Sequence, residues 1–271
     1  MTTTCVPSFT GRRILPAEDY VFRIPLVPWI CPPLHPALLR LVRNIGRETV
    51  LEPGERIYSE GEPVNRFAIV QKGLIARKLG DFAERSDNRI GLAGPGNIAS
   101  GNLNIFSHRP AIGRYEALVP TSIVWCDQRM LLSIVETDRE LFKLLALQCE
   151  LCALSDRLAF ATMNLLESDE ALKILLLSWT VHFGRLDGDY VVTPRILVRD
   201  TIRNVLGCSI GWLDKLLSDW RRNAWREQRG AVLYYRLELL QSANDLLCEL
   251  EEGMSDVPRP RDVRTYWLPQ S

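Results

Sequence analysis

Two short runs of apolar residues lie between residues 198 and 220, and a single glycine separates them. Within each run the apolar residues recur at spacings of three and four, which places them on one face of a helix. The first face comprises Ile202, Val205 and Leu206, and the second comprises Leu213, Leu216, Leu217 and Trp220. The pattern therefore predicts two consecutive amphipathic helices.

The junction between these runs has the residues that a tight turn requires. Gly207 follows the first run, where a left-handed backbone conformation ends many helices. Ser209 precedes the second run, where a side-chain oxygen can cap the first amide groups of a helix. Together these positions predict a helix-turn-helix.

A different periodicity occupies residues 49–127. Short β-rich runs alternate with glycine and proline, at 49–51, 56–58, 67–70, 74–78, 89–92, 115–118 and 122–126. Even spacing of short strands and turns is typical of a small barrel or a two-sheet roll. We expect such a β-roll over residues 46–127.

Helical spacing then covers residues 128–166. An alternating three-four seam runs along this stretch at Leu141, Leu144, Gln148, Leu151, Ser155, Leu158, Thr162 and Leu165. So long a seam favours a second copy of the same helix and predicts a homodimer, although packing on the helix's own roll is the alternative. A further helix is predicted over Ser168–Phe183.

The charge distribution distinguishes one segment of the chain. The 271 residues carry a net charge of zero, with 24% charged and 46% hydrophobic residues, as in ordinary globular proteins. Residues 193–236 nevertheless hold nine basic residues (Arg195, Arg199, Arg203, Lys215, Arg221, Arg222, Arg226, Arg229, Arg236) against four acidic ones (Asp200, Asp214, Asp219, Glu227). A basic module on a neutral chain fits a specific DNA-binding domain better than a general polyanion binder.

The ends of the chain and its cysteines indicate a cytoplasmic protein. No signal peptide and no run of 18 apolar residues is apparent, so we expect no membrane association. The scattered cysteines, seven in all, are expected to be reduced. Residues 1–45 are predicted to form a proline-rich extension with a short helix at Pro36–Ile45, and residues 251–271 a C-terminal tail.

Three stretches resemble the superfamily of the cyclic-AMP receptor protein and the fumarate-nitrate reduction regulator (CRP/FNR). LEPGERIYSEGEP at 51–63 and FAIVQKG at 67–73 are similar to its opening strands, with Gly54, Gly61 and Gly73 at the turns, and GCS at 207–209 resembles its DNA-binding turn. The resemblance covers about residues 45–240. It implies an α+β chain comprising a cyclic-nucleotide-binding-like β-roll, a long dimerisation helix and, over residues 167–250, a winged helix-turn-helix.

The effector segment departs from the pattern of family members that bind cyclic nucleotides. Those members use a glutamate for the ribose and an Arg-Ser pair for the phosphate, whereas residues 96–115 place Asn102 at the first position and Ala111-Ile112 at the second. A buried phosphate depends on a paired arginine. We therefore expect no cyclic-AMP binding and a degenerate pocket around Gly101, Asn102, Leu103, Arg109 and Arg114, although gating by a cyclic nucleotide or by another small ligand is the alternative.

The sequence gives little support for an iron-sulfur cluster, a haem or a bound metal. An iron-sulfur cluster needs closely spaced cysteines, whereas Cys5 and Cys31 stand far apart, and a haem would have only His108 and Cys126 in the roll. Cys149 and Cys152 share a helix face and could bind metal or respond to oxidant, but small buried cysteines usually serve packing. We expect no cofactor, no bound metal and no enzymatic activity, since no catalytic motif is present.

The second helix of a helix-turn-helix enters the major groove with its N-terminal residues facing the bases. The expected base-contact set is Ser209, Ile210, Gly211, Trp212 and Lys215, and the expected phosphate contacts are Arg199, Arg203, Arg221 and Arg222. Family members commonly have Arg and Glu where this chain has Ile210 and Gly211, so its base preference should differ. Trp212 could pack in the core or stack on DNA. Further along the chain, residues Arg226–Arg229 should precede a wing turn at Gly230.

The sequence therefore predicts a homodimeric, sequence-specific transcription regulator. Two-fold symmetry implies a near-palindromic double-stranded DNA target with half-sites about one helical turn apart. RNA polymerase is a further candidate partner. The alternative is a dimeric adaptor of the same fold that no longer binds DNA.

Overall fold

The computed structural model describes residues 26–78, 89–194, 197–251 and 259–268. Residues 1–25, with Cys5 and most of the predicted extension, lie outside the described residues, as do Arg195 and residues 252–258 and 269–271 of the predicted tail. The helices are α1 (Pro36–Ile45), α2 (Gln128–Val135), α3 (Arg139–Leu165), α4 (Ser168–Phe183), α5 (Arg199–Leu206), α6 (Ile210–Arg222) and α7 (Leu237–Glu251). A 3₁₀ turn follows at Val263–Tyr266.

The β-rich half forms a two-sheet roll, as predicted. Its strands are β1 (Arg47–Leu51), β2 (Arg56–Tyr58), β3 (Arg66–Lys72), β4 (Ile75–Lys78), β5 (Arg89–Ala93), β6 (Ile98–Ser100), β7 (Arg114–Ala117) and β8 (Thr121–Asp127). They build two four-stranded sheets in the orders β1-β8-β3-β6 and β2-β7-β4-β5, and every pairing is antiparallel. Alternating side chains from the two sheets bury a shared core.

The predicted glycine turns are confirmed. Gly54, Gly61 and Gly73 have φ angles of 87°, 78° and 93°, in the region that residues with a Cβ rarely adopt. At Gly73 a Cβ would also lie 2.3 Å from Thr121 Oγ1, so this turn between β3 and β4 requires glycine on two counts.

The region predicted as one helix over residues 128–166 is two helices. α2 ends at Val135, and α3 begins at Arg139 after a short break. Asp138 caps α3, because its carboxylate accepts hydrogen bonds from the amides of Glu140 (2.9 Å) and Leu141 (3.2 Å). The aspartate therefore starts a new helix where the sequence pattern suggested a continuous one.

The predicted dimer seam of α3 faces its own chain, which corrects the expectation from the sequence. Apart from the exposed Leu165, every seam residue from Leu141 to Thr162 is buried. Residues 26–35 run along this face, where Ser155 Oγ donates to the carbonyls of Val27 (2.7 Å) and Ile30 (3.0 Å). Gln148 Nε2 likewise donates to the carbonyl of Pro32 (3.1 Å). The N-terminal segment thus covers the inner face of α3.

A second three-four seam lies on the opposite side of α3, and we call it the outward seam. Its members are at least partly solvent-accessible and comprise Phe142, Ala146, Cys149, Ala153, Asp156, Phe160 and Met163. Six of the seven are apolar. Phe160 is 71% exposed, which is unusual for a large aromatic side chain.

The C-terminal half is built on α4, whose middle turns are buried on all sides. Strands β9 (Arg185–Asp187), β10 (Tyr190–Pro194), β11 (Arg226–Arg229) and β12 (Val232–Arg236) form a sheet in the order β11-β12-β10-β9. Helices α5, α6 and α7 complete a core with Trp179 and Trp220.

The described part of the predicted tail folds back onto the protein. Arg259 pairs with Glu251 (2.5 Å) and donates to the carbonyl of Leu26 (2.6 Å), so it joins the two ends of the described chain. Trp267 Nε1 donates to the carbonyl of Thr180 on α4 (2.9 Å). Among the described helices, none combines the length and the apolar character that crossing a bilayer requires.

Candidate nucleic-acid interface

The turn between α5 and α6 has the geometry that its residues predict. Gly207 ends α5 with φ 64° and ψ 20°, in the left-handed region. Ser209 Oγ accepts a hydrogen bond from the amide of Trp212 (3.2 Å) and caps α6. The helix-turn-helix predicted from these two residues is present.

One face of α6 anchors the helix. Leu213, Leu217 and Trp220 are buried in the same core as Ile202 and Val205 of α5. Leu216 and Trp212 are partly buried and pack against that core. Of the two alternatives for Trp212, the structure therefore supports core packing.

The opposite face of α6 is open to solvent. Ser209, Gly211 and Lys215 are exposed, and Ile210 is 41% exposed. A Cβ at Gly211 would meet no atom within 4 Å, so packing inside the chain does not require glycine there. The predicted base-contact set, with Trp212 at its edge, thus lies together at the start of one helix.

The predicted phosphate contacts differ in how far their charge is neutralised. Arg199 Nη1 lies 2.5 Å from Asp214 Oδ1 on α6, and Arg222 pairs with Asp219 one turn earlier on its own helix. Arg203 is half-buried, and its Nε is buried without a hydrogen-bond partner. Within the described ranges, Lys215 and Arg221 form no ion pair, so these exposed cations are available to an anion.

The predicted wing is a hairpin of β11 and β12. Its tip, Arg229, Gly230 and Ala231, is exposed, and Gly230 has φ 60°. The guanidinium of Arg229 lies 4.5 Å from the ring centre of Tyr234 and pairs with Glu227 (2.8 Å). Arg226, by contrast, is buried beside Tyr235, where its charge partly offsets the burial that raises the pKa of that phenol.

Sequence reasoning missed two exposed features of this surface. Ser218 belongs to the same exposed stripe of α6 as Gly211, Lys215 and Arg222, and their three-four spacing was a usable signal. The Arg229–Tyr234 stack joins neighbouring strands, so local spacing gave no comparable signal for it.

The residues predicted around an effector pocket differ in their exposure to solvent. Leu103 and Arg109 are exposed, whereas Gly101 and Asn102 are buried, and Asn102 Nδ2 has no hydrogen-bond partner. Arg114 Nε lies 3.6 Å from Glu116 Oε2, so a carboxylate already stands beside this arginine.

The candidate cofactor ligands also lie in different environments. His108 is exposed in a loop, whereas Cys126 is buried in the core, where burial raises its pKa to about 12. Cys152 is fully buried, whereas Cys149 is only partly buried. Across the residues that the structure describes, no group of three or more His, Cys, Asp or Glu side chains could hold a metal ion.

No protein-family model and no curated protein matches this chain. Solved structures do resemble it. FixK2 from Bradyrhizobium japonicum is 18% identical, with a TM-score of 0.61 over 74% of this chain and 97% of that chain. A CooA variant from Carboxydothermus hydrogenoformans is 15% identical, with a TM-score of 0.60 over 83% and 98%.

A transcriptional regulator of the CRP/FNR family from Thermus thermophilus is 16% identical, with a TM-score of 0.54 over 74% of this chain and 97% of that chain. Each match covers nearly the whole of the known structure. The chain therefore has the fold of the CRP/FNR regulators, with a β-roll followed by helices and a helix-turn-helix domain.

Proposed function

We propose that the protein is a sequence-specific DNA-binding transcription regulator that acts as a homodimer. The observation that carries the proposal is the exposed N-terminal half of α6, which is capped by Ser209, anchored from behind and next to a wing. A helix presented in this way fits the major groove of B-DNA. The shared fold with transcription regulators supports the same function.

Base contacts are assigned to the exposed start of α6. Ile210 offers an apolar contact for a thymine methyl group, and Lys215 can donate to a guanine edge or to a phosphate. Gly211 leaves open space, so the helix can approach the groove closely at this point. Ser218 extends the same stripe toward the DNA backbone.

Phosphate contacts are assigned to the arginines that flank this stripe. Arg221 carries an unneutralised charge, whereas Arg199 and Arg222 must exchange their aspartates for phosphates or share their guanidinium donors with both. Arg229 at the wing tip adds a cation on the far side of the hairpin. Such contacts position the protein without selecting a sequence.

The homodimer contact is assigned to the outward seam of α3. Exposed apolar residues at alternating spacings of three and four suit a partner helix with the same pattern, as in a coiled coil. Among the described residues, the inner face of α3 is already covered by residues 26–35, whereas the outward seam is open to a partner. Two-fold symmetry would place two α6 helices on a near-palindromic site, with RNA polymerase as a further partner.

The β-roll is assigned a role other than cyclic-AMP binding. Arg114 lies beside Glu116, whose negative charge opposes a phosphate, and the neighbouring Arg109 is exposed. The buried and unpartnered Asn102 Nδ2 favours a different small ligand as a second candidate function. Calorimetric titration with cyclic AMP should give no binding heat.

DNA binding is tested by selecting genomic fragments and measuring their affinity by fluorescence anisotropy. Lys215→Ala should weaken binding to the selected site or change its base preference, while the matched variant Lys72→Ala, at an exposed lysine of the roll, should not. Equal losses on selected and random DNA would remove Lys215 from the base-contact set. If the unmodified protein binds no DNA even at low salt, with or without added small-molecule ligands, the proposal is contradicted and the adaptor alternative is favoured.

The dimer is tested by analytical ultracentrifugation. Phe160→Glu places a charge at the most exposed large apolar residue of the proposed contact and should convert the dimer to monomers. Val50→Glu is the control, because Val50 is also a large exposed apolar side chain (63%) but lies on the roll. A Phe160→Glu protein that stays dimeric would rule out the outward seam.

A further inference from the structure

Two cysteines that are far apart in the sequence meet behind the outward seam. Cys31 lies in the N-terminal segment and Cys152 on α3, and both are fully buried. The carbonyls on either side of Cys31 accept hydrogen bonds from Gln148 (3.1 Å) and Ser155 (3.0 Å), which flank Cys152 on α3, and the two thiols lie within hydrogen-bonding reach of each other. The tertiary fold therefore brings together a thiol pair that no sequence motif indicates.

A buried arginine stands beside this pair. The Arg77 side chain crosses β5 above Gly91, where a Cβ would lie only 2.4 Å from Nη2, so glycine leaves the passage that the side chain uses. Nη2 donates to Asp156 Oδ1 (2.6 Å), while Nε and Nη1 are buried with no hydrogen-bond partner. A buried cation with unused donors stabilises any neighbouring group that can become an anion.

The surroundings give the two thiols different acidities. The hydrogen bond from Cys152 and the charge of Arg77 lower the pKa of Cys31, although burial opposes them. The same hydrogen bond and burial raise the pKa of Cys152 well above its usual value. Of the two thiols, Cys31 is therefore the more readily deprotonated, and Cys152 is the one that keeps its proton.

Cys149, one turn before Cys152, does not share this activation. Burial raises its pKa to about 12, so it remains a thiol at neutral pH. A metal ion is also an unfavourable occupant of the cluster, because the Arg77 guanidinium would repel a second cation.

We propose that Cys31 and Cys152 form a peroxide-sensitive pair, in which Cys31 is oxidised first and Cys152 then closes an intramolecular disulfide. The Cys31 thiolate attacks one oxygen of a hydroperoxide, the O–O bond breaks and, with one proton, an alcohol or water leaves. Cys31 is now a sulfenic acid. The Cys152 sulfur displaces its hydroxyl, and the thiol proton leaves with that hydroxyl as water.

The disulfide would have a defined structural consequence. It would tie residues 26–35 covalently to α3 and remove the thiol that can ionise beside Arg77. Asp156 would then be the remaining anion at the guanidinium, and Asp156 belongs to the outward seam. Oxidation in the interior is thus connected to the surface of α3 through one ion pair.

The test is peptide mass mapping of the full chain without reductant after treatment with hydrogen peroxide. We expect a linked pair of peptides containing Cys31 and Cys152, lighter by two hydrogen atoms and separated again by dithiothreitol. Cys149→Ser is the matched control and should form the same link. In Cys152→Ser, dimedone should trap a sulfenic acid at Cys31.

The role of Arg77 is tested by the rate of the same oxidation. Arg77→Gln should slow it about tenfold or more, since each unit by which the pKa rises removes about nine-tenths of the thiolate. Arg77→Lys retains the charge, gives a second variant if the first misfolds and should be slowed less.

Two outcomes would overturn the proposal. One is a link between Cys149 and Cys152 in place of Cys31 and Cys152. The other is the absence of any Cys31–Cys152 link at peroxide concentrations that oxidise the half-buried Cys208. Because the readout is a mass, it does not depend on whether the protein binds DNA.

Discussion

Replacing Asp156 by asparagine should destabilise the protein, because it removes the carboxylate that neutralises the buried Arg77. The Arg77 side chain is 5% exposed and that of Asp156 is 21% exposed, with 2.6 Å between Nη2 and Oδ1. Burial raises the pKa of Asp156 and Arg77 only partly offsets that rise, so the carboxylate has lost much of its hydration.

The magnitude follows from these exposures. Removing one partner of a fully buried pair costs about 3–5 kcal/mol. The carboxylate of this pair reaches solvent and asparagine retains one acceptor oxygen, worth about 1 kcal/mol, so we expect a loss of about 2 kcal/mol. The double variant Arg77→Met/Asp156→Asn should recover most of it, since no buried charge remains.

The assay is urea unfolding of the reduced protein, followed by circular dichroism. A loss of about 2 kcal/mol should lower the midpoint by about 1 M. Asp189→Asn is the control, because Asp189 pairs with Arg264 at 3.2 Å on an exposed surface, where such a pair contributes little. An Asp156→Asn protein that loses no more stability than the control, or a double variant no more stable than the single one, would refute this expectation.

Substitutions at three other positions have further expected outcomes. Burial lowers the pKa of His182 to about 4, against about 6.5 in the unfolded chain, so the stability that the neutral side chain contributes is fully present above pH 6.5 and is lost as the pH falls toward 4. His182→Gln should remove up to about 3 kcal/mol of this acid sensitivity in pH-dependent melts. An unchanged pH profile would contradict this expectation. Ser209→Ala should lose about 1 kcal/mol and speed hydrogen exchange at the Trp212 amide, whereas the exposed Ser218→Ala should do neither. Arg221→Ala should lower the slope of log affinity against log salt by about one. Arg222→Ala should lower it by less, because Asp219 already pairs with Arg222. Equal slopes for the two variants would show that the arginines do not differ in their phosphate contacts.

Local features were predicted from the sequence because local sterics decide them. A glycine that must adopt a positive φ and a serine that caps a helix act within a few residues, so Gly73, Gly207 and Ser209 were assigned correctly. The β-roll, the helix-turn-helix and the wing hairpin follow from the same short-range pattern. The exposed start of α6 could therefore be identified without coordinates.

Features that depend on which surfaces meet were not predicted. α3 carries two three-four seams, and periodicity assigned the dimer contact to the one that residues 26–35 cover. Spacing shows that residues share a face, but what covers that face depends on segments more than 100 residues away in the chain. The neutralisation of Arg199 by Asp214 has the same origin, since it joins two helices across the turn.

The sequence by itself determined the order of the elements, their turns and the exposed start of α6, because backbone conformation and amphipathic spacing are local properties. The tertiary structure alone decided which face of α3 remains open and which groups surround Arg77. Cys31, Arg77 and Cys152 come from the N-terminal segment, the roll and α3, and they meet because the N-terminal segment is buried against both. Their altered acidity arises from that shared burial, which no local pattern encodes.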